Sequence, residues 1–146
     1  MKSMRLEMMP VSQEIERVDH EIERFLIDEG FKQYKDVQFA AHELLINSVK
    51  AMNQKYEDSC PYVIKIEAKA NSEIVELSVT DYGGGLAEDW RQSLENVLFE
   101  DILMMESGRG LLLINCLTDF FDCSLTPDGA ATYTIIKRRD DNGKVS

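Results

Sequence analysis

Phe39-Ala40-Ala41-His42-Glu43-Leu44-Leu45-Ile46-Asn47-Ser48-Val49-Lys50-Ala51-Met52 is the stretch from which the rest of the chain can be read. Val37, Ala40, Ala41, Leu44, Leu45, Val49 and Met52 recur at three- and four-residue steps. That spacing puts apolar side chains on one face of a helix. Asp36 stands where a carboxylate can accept a bond from one of the helix's first N–H groups. Glu43 and Asn47 lie beside the apolar stripe rather than in it. At about 100° per residue they share a face, one turn apart. Such pairs are common on solvated helices, and alone this one decides nothing. It does set a carboxylate, which can take a proton, beside an amide oxygen, which can hold a hard cation.

Upstream, Met4-Arg5-Leu6-Glu7-Met8 alternates as a half-buried strand would, and Pro10 ends it. Ser12 is placed to cap a helix running to about residue 29, with Val11, Ile15, Val18, Ile22, Phe25 and Leu26 on one face. Gly30 follows where a left-handed C-terminal residue is wanted. Downstream, residues 53–61 read as a polar connection. Residues 62–70 alternate, with Ile64, Ile66 and Ala68 opposite Lys65, Glu67 and Lys69. Asn71-Ser72-Glu73 turns the chain, and 74–80 returns with Val75, Leu77 and Val79 on one side. This is an antiparallel hairpin with one solvated face. Asp81 shares the parity of the buried set. It is predicted to point from the strand end into the core layer, where a carboxylate needs a partner.

Gly83, Gly84 and Gly85 come next: either a flexible turn, or bare backbone against which a flat ligand can lie. Residues 86–107 form a long connection for a chain of 146 residues. Trp90, Leu94, Val97, Leu98 and Ile102 predict an amphipathic helix within it. Met104-Met105 suits the core or an adaptable contact. Gly108-Arg109-Gly110 opens the apolar run 111–117, predicted as a helix whose first N–H groups can face a phosphate. Arg109 either adds a charge-assisted bond there or is plain surface. Phe121, Cys123 and Leu125 mark a further strand, Thr126-Pro127-Asp128-Gly129 a turn, and residues 131–138 the last strand.

Composition narrows the class. A formal charge of −11 disfavours nucleic acid as a partner, since counterion displacement needs clustered Lys and Arg. Lys137-Arg138-Arg139 is the only basic run, and it reads as a solvated strand end. No apolar run approaches the ~20 residues of a membrane span, and the N-terminus lacks a signal-peptide pattern. Cys60, Cys116 and Cys123 have no metal-type spacing and read as reduced thiols. The expectation is an acidic cytoplasmic chain with one domain, residues 1–139, and a disordered tail over 140–146.

Three segments in order, Glu43 with Asn47, Asp81 with Gly83 and Gly85, and Gly108 with Gly110, resemble the ATP-binding boxes of the GHKL (Bergerat-fold) family. Within it, the short length and the helix ahead of the first box look most like the bacterial anti-sigma factor serine kinases. The resemblance implies an α+β two-layer sandwich: a mixed, mostly antiparallel sheet of about five strands with helices on one face. It also implies ATP and Mg²⁺ as cofactors. Asn47 would ligate Mg²⁺, Asp81 would read the adenine amine, and Gly83, Gly85, Gly108, Arg109 and Gly110 would line the nucleotide. Glu43 would be the catalytic residue, orienting or deprotonating a serine hydroxyl. A threonine near the start of the last strand usually joins the aspartate at adenine; Thr132 is the nearest candidate. The implied function is a serine/threonine protein kinase of anti-sigma type. Its partner would be a sigma factor, an anti-sigma factor antagonist or both, and a homodimer is expected by analogy. Ala41-His42-Glu43-Leu44 also looks like a sensor kinase phospho-acceptor box, but the second Glu-x-x-x-Asn that reading needs falls on Glu67 and Asn71, in a strand and its turn. His42 is therefore expected to be structural.

Departures from the pattern point to an alternative. Arg91 is the only basic residue between 86 and 107, Glu106 stands where an arginine is usual, and Ala51-Met52 replaces a His-Gly pair. Phosphoryl transfer needs its charge neutralised. The alternative is a nucleotide-gated module that sequesters a regulator with little or no transfer. A hydrolase using Glu43 and Asp81 as a carboxylate pair is a third reading.

Overall fold

The computed structural model describes residues 2–57, 59–95, 97–103 and 109–139. Gly108, Glu106, the Met104-Met105 pair and the tail 140–146 lie outside the described residues. Strand β1 (Lys2–Met8) leads through a 3₁₀ turn (Ser12–Glu14) into α1 (Ile15–Asp28) and α2 (Tyr34–Tyr56). The hairpin β2 (Ile64–Ala70) and β3 (Ile74–Asp81) follows, then the short helices α3 (Trp90–Ser93) and α4 (Phe99–Leu103). Helix α5 (Gly110–Leu117) and strands β4 (Phe120–Leu125) and β5 (Ala131–Arg138) complete the chain. The five strands run β1-β2-β3-β5-β4. All four pairings are antiparallel, so the majority pattern expected for the sheet extends to every neighbour.

Alternation fixes which sheet face is covered. Ile64, Ile66, Ala68 and Ala70 on β2 and Val75, Leu77 and Val79 on β3 are buried. So are Ala131, Tyr133 and Ile135 on β5. They meet Ile15, Val18, Ile22 and Leu26 of α1 and Val37, Ala40, Ala41, Leu44, Leu45, Val49 and Met52 of α2 in one core. The other face carries Arg5, Lys65, Glu67, Ser78, Thr80 and Thr132, polar as its solvent exposure requires. At 3.6 residues per turn, α2 can keep a buried stripe over its whole length while a second face remains for chemistry.

Several local expectations are corrected. Helix α2 starts at Tyr34 and runs on to Tyr56, so residues 53–56 are helical rather than a connection. Gln33 occupies its N-cap, and Asp36 sits in the first turn, 3.5 Å from Lys137 Nζ. There its negative charge complements the positive end of the helix dipole without capping the helix. Ser12 begins the 3₁₀ turn, and no side-chain cap precedes α1. The helix expected around Trp90 and Ile102 is two short pieces, with Leu98 60% exposed between them. The basic run is half structural: Lys137 donates to the Leu117 carbonyl. Arg139 donates to the carbonyls of Asn71 and Glu29, closing the end of α1 onto the hairpin turn. Gly30 does adopt a left-handed φ, +71°, as the end of α1 requires.

Candidate functional site

Asp81 is the last residue of β3, and its inward parity leaves it 0% exposed. Its Oδ1 accepts a 3.0 Å bond from the Gly83 N–H, which curls the following loop back over the strand end. Its Oδ2 and the buried Oγ of Ser48 on α2 lie beside each other, without strict hydrogen-bond geometry between them and with no other partner among the described residues. Burial pushes the Asp81 carboxyl above the usual range; the Ser48 hydroxyl beside it, the Gly83 N–H and the charge of Lys55 pull back. The Tyr133 phenol is raised well above its ordinary value by burial and then by the charges of Asp81 and Cys123. These groups from α2, β3, β4 and β5 therefore surround one polar end of the core. An acceptor left unpaired in such a place costs about 1–3 kcal/mol, which a ligand donor would recover.

The glycine loop shows two separate uses of a missing side chain. Gly84 and Gly85 take left-handed φ values of +103° and +77°. Gly83 is needed for approach: a Cβ there would lie 2.6 Å from the Ala51 Cβ and 3.3–3.4 Å from the backbone of Ala51 and Met52. Loop and helix are thus in contact one turn beyond Asn47. Tyr56 fastens the same junction by donating to the Tyr82 carbonyl at 3.1 Å, and Tyr82 stacks on Tyr62 at 4.1 Å. Gly83→Ala is expected to lower the melting temperature, with the roughly 1–3 kcal/mol of an overpacked contact. It should weaken ligand binding at Asp81 as well, and calorimetry with Ala51→Gly added should show binding recover.

Helix α2 presents Glu43 and Asn47 to the opening of α5. A Cβ at Gly110 would lie 2.9 Å from Glu43 Oε1 and 3.7 Å from Asn47 Nδ2. Only a bare backbone lets α5 begin this close to the pair. The Leu113 N–H donates to the Arg109 carbonyl at 2.9 Å, which sets the opening of α5 at this point. A carboxylate, a carboxamide and a helix N-terminus face one another. Among the described residues no group of three or more His, Cys, Asp or Glu could hold a metal. A cation here would therefore rest on Asn47 and on oxygens that a phosphate ligand brings, the habit of Mg²⁺.

Thr132 is not brought into this arrangement. Register pairs Asp81 with Ala131 and Thr80 with Thr132, so Thr132 points to the opposite face of the sheet. There its hydroxyl lies 3.0 Å from that of Thr80. A shallow hollow of about 520 Å³ on that open face, lined by Arg5, Glu7, Lys65, Glu67, Ser78 and Thr80, is accordingly remote from Asp81. His42 turns toward α1, where Nδ1 meets Asp19 Oδ2 at 2.6 Å. Arg91, the lone base of residues 86–107, pairs with Asp122 and lies over the Trp90 ring, which packs edge-on against Phe121. Sequence reasoning missed Ser48 and Ala51. The signal for Ser48 was a hydroxyl inside an apolar stripe, one step after Asn47.

A five-strand antiparallel sheet with helices packed on one face, and a buried aspartate, a glycine turn and the Glu43–Asn47 pair at one end of it, define the class. Residues 11–136 match the model of the histidine kinase-like ATPase domain, and the chain belongs to that family. Among solved structures, a chain of the SiaB–SiaC complex from Pseudomonas aeruginosa superposes with a TM-score of 0.64. The match covers 92% of this chain and 89% of that one at 18% identity, a likeness of fold. Comparison with curated proteins gives no significant match. No helix among the described residues is long and apolar enough to cross a membrane.

Proposed function

We propose that this chain binds ATP with Mg²⁺ between α2, the 81–85 loop and α5, and acts as an anti-sigma-type protein serine/threonine kinase on a small protein partner. The observation that carries the reading is the meeting of Glu43 and Asn47 with Gly110, one to two turns along α2 from the point where the same helix touches Gly83 beside Asp81. One helix thereby spans a base-reading end and a phosphate end. Asp81 Oδ2 accepts from the adenine amine. The α5 N-terminus, with Gly108, Arg109 and Gly110, holds phosphate. The Asn47 amide oxygen would hold Mg²⁺, whose charge would offset that of the phosphates. Glu43 accepts the proton of the partner's hydroxyl as that oxygen bonds to the γ-phosphorus and ADP leaves.

The solved neighbour is a complex of two proteins, which favours a protein partner: an anti-sigma factor antagonist, a sigma factor, or both. A second reading, a nucleotide-gated module without transfer, is favoured by Arg91, which Asp122 and Trp90 hold in place. Labelled ATP incubated with a candidate antagonist separates the two: phosphoserine or phosphothreonine supports the kinase, and tight Mg-dependent ATP binding without either supports the module. Asn47→Ala is expected to leave the melting temperature of the unliganded chain unchanged. ATP affinity should then no longer respond to Mg²⁺ in calorimetry; a retained Mg²⁺ response would place the cation elsewhere.

A further inference from the structure

Resting on the reading above that this chain acts on a protein, we infer that the hollow between α1 and the first half of α2 docks an acidic side chain, aspartate or glutamate, of that partner. The hollow holds about 270 Å³ and is lined by Asp19, Lys35, Gln38, Phe39 and His42. The last four recur at three- and four-residue steps, so one stripe of α2 supplies them all. The one acid in the lining is turned inward. Asp19 Oδ2 meets His42 Nδ1 at 2.6 Å, and Asp19 Oδ1 is buried without a partner. The Asp19 side chain is 19% exposed and that of His42 41%. The ring edge carrying Nε2 is what remains for a ligand.

Charge decides what fits. An N···O bond this short is charge-assisted, an imidazolium on a carboxylate. Burial pushes the Asp19 carboxyl above its usual range; the bond and charge of His42 pull it back, while the charge of Glu16 adds to the rise. Removing the cation would strand a buried carboxylate, which keeps the pair together. With that pair neutral overall, Lys35 leaves the lining one net positive charge. The Lys35 ammonium, the Gln38 amide and the Nε2–H each have a proton to give. One charge matches a single carboxylate, whereas a phosphate dianion would be half neutralised. The neighbourhood agrees: within a chain of net charge −11, residues 32–42 set Lys32 and Lys35 against Asp36 alone, and Lys137 stands 3.5 Å from Asp36. Phe39, 45% exposed, walls the hollow one turn before Glu43 on the same face of α2. A partner anchored there lies beside the residue assigned to its hydroxyl.

The test uses the full chain, whose histidines are His20 and His42 alone, so each ring is followed separately by NMR. Acetyl-Leu-Glu-amide is titrated into wild type and Lys35→Glu, with acetyl-Leu-Gln-amide as the uncharged control. Lys35 is exposed, so the substitution lies outside the core. In wild type the His42 ring signals should shift and saturate with a Kd of about 1–10 mM, while those of His20 stay. The glutamine control and the Lys35→Glu variant should each weaken that binding about tenfold, the worth of one charge-assisted bond. A candidate antagonist protein, with ATP and Mg²⁺ present, should lose affinity for Lys35→Glu by a similar factor. Equal binding of the two dipeptides, an unmoved His42 signal, tighter binding of inorganic phosphate than of the glutamate peptide, or an antagonist indifferent to Lys35→Glu overturns the inference. If the glutamate peptide moves His42 but no antagonist binds wild type, the protein-partner reading fails, and the docking role with it.

Discussion

Asp81→Asn is expected to weaken ATP binding at least a hundredfold while leaving the unliganded fold at least as stable. Asparagine keeps an oxygen for the Gly83 N–H, so the loop geometry survives. The other position then carries an NH₂ where Oδ2 stood, a donor facing the donor of adenine. A lost hydrogen bond to a charged acceptor plus a donor–donor clash is worth about 3 kcal/mol or more. The fold does not suffer, because a neutral amide replaces a buried carboxylate whose ionisation burial disfavours. The pH dependence separates the two effects. Asp81 has a raised value in the folded chain, so the folded state holds its proton more tightly than the unfolded one. Its contribution to stability therefore falls as pH rises from about 3.8 through the folded value, and returns on acidification. ATP binding needs the ionised form and moves the other way, declining as pH drops through the folded value. The ratio of wild-type to variant affinity, measured by calorimetry from neutral pH downward, should shrink on acidification. Wild-type affinity in Asp81→Asn would place the base elsewhere.

How much of this was legible in the sequence depends on the range of the interaction that fixes each feature. The helix carrying Glu43 and Asn47, the β2–β3 hairpin and the inward turn of Asp81 follow from periodicity, because burial on one side repeats at 3.6 or 2 residues wherever the chain is regular. Helix ends were less legible. Asp36 and Ser12 have the chemistry of caps, yet α2 begins two residues earlier at Tyr34 and α1 is entered through a 3₁₀ turn. Thr132 shows the limit of composition: a one-residue choice along β5 decides which sheet face a hydroxyl takes, and pairing of Asp81 with Ala131 made that choice. Ala51 was silent, and Ser48 showed only as a hydroxyl in an apolar stripe, because each acts on a segment some thirty residues away, Ser48 as a polar atom at Asp81 and Ala51 as a small surface against Gly83. Such contacts have no local period. The broken helix over residues 90–103 likewise reflects tertiary anchors: Trp90 packs against Phe121, whereas Leu98 is left 60% exposed.

Glu43→Gln is expected to separate binding from transfer. Its carboxylate stands against Gly110 at the opening of α5, where the terminal phosphate would lie. A negative charge there gains nothing for binding a triphosphate; Coulomb repulsion at a half-buried site opposes it. Evolution toward tight binding alone would favour glutamine, which fills the same space without the charge. A glutamate is warranted if the site must take a proton from an attacking hydroxyl, a role the amide cannot fill. The kinase reading therefore predicts ATP affinity equal to or slightly above wild type in Glu43→Gln. The rate of phosphoryl transfer to an antagonist protein should fall by about 10²–10⁴ in single-turnover measurements with labelled ATP. Transfer at the wild-type rate would remove Glu43 from the chemistry. Tighter ATP binding by the variant, in a wild-type protein that transfers nothing, would instead mark the glutamate as a device for weakening nucleotide affinity, which suits a module that must release its partner as ATP is exchanged.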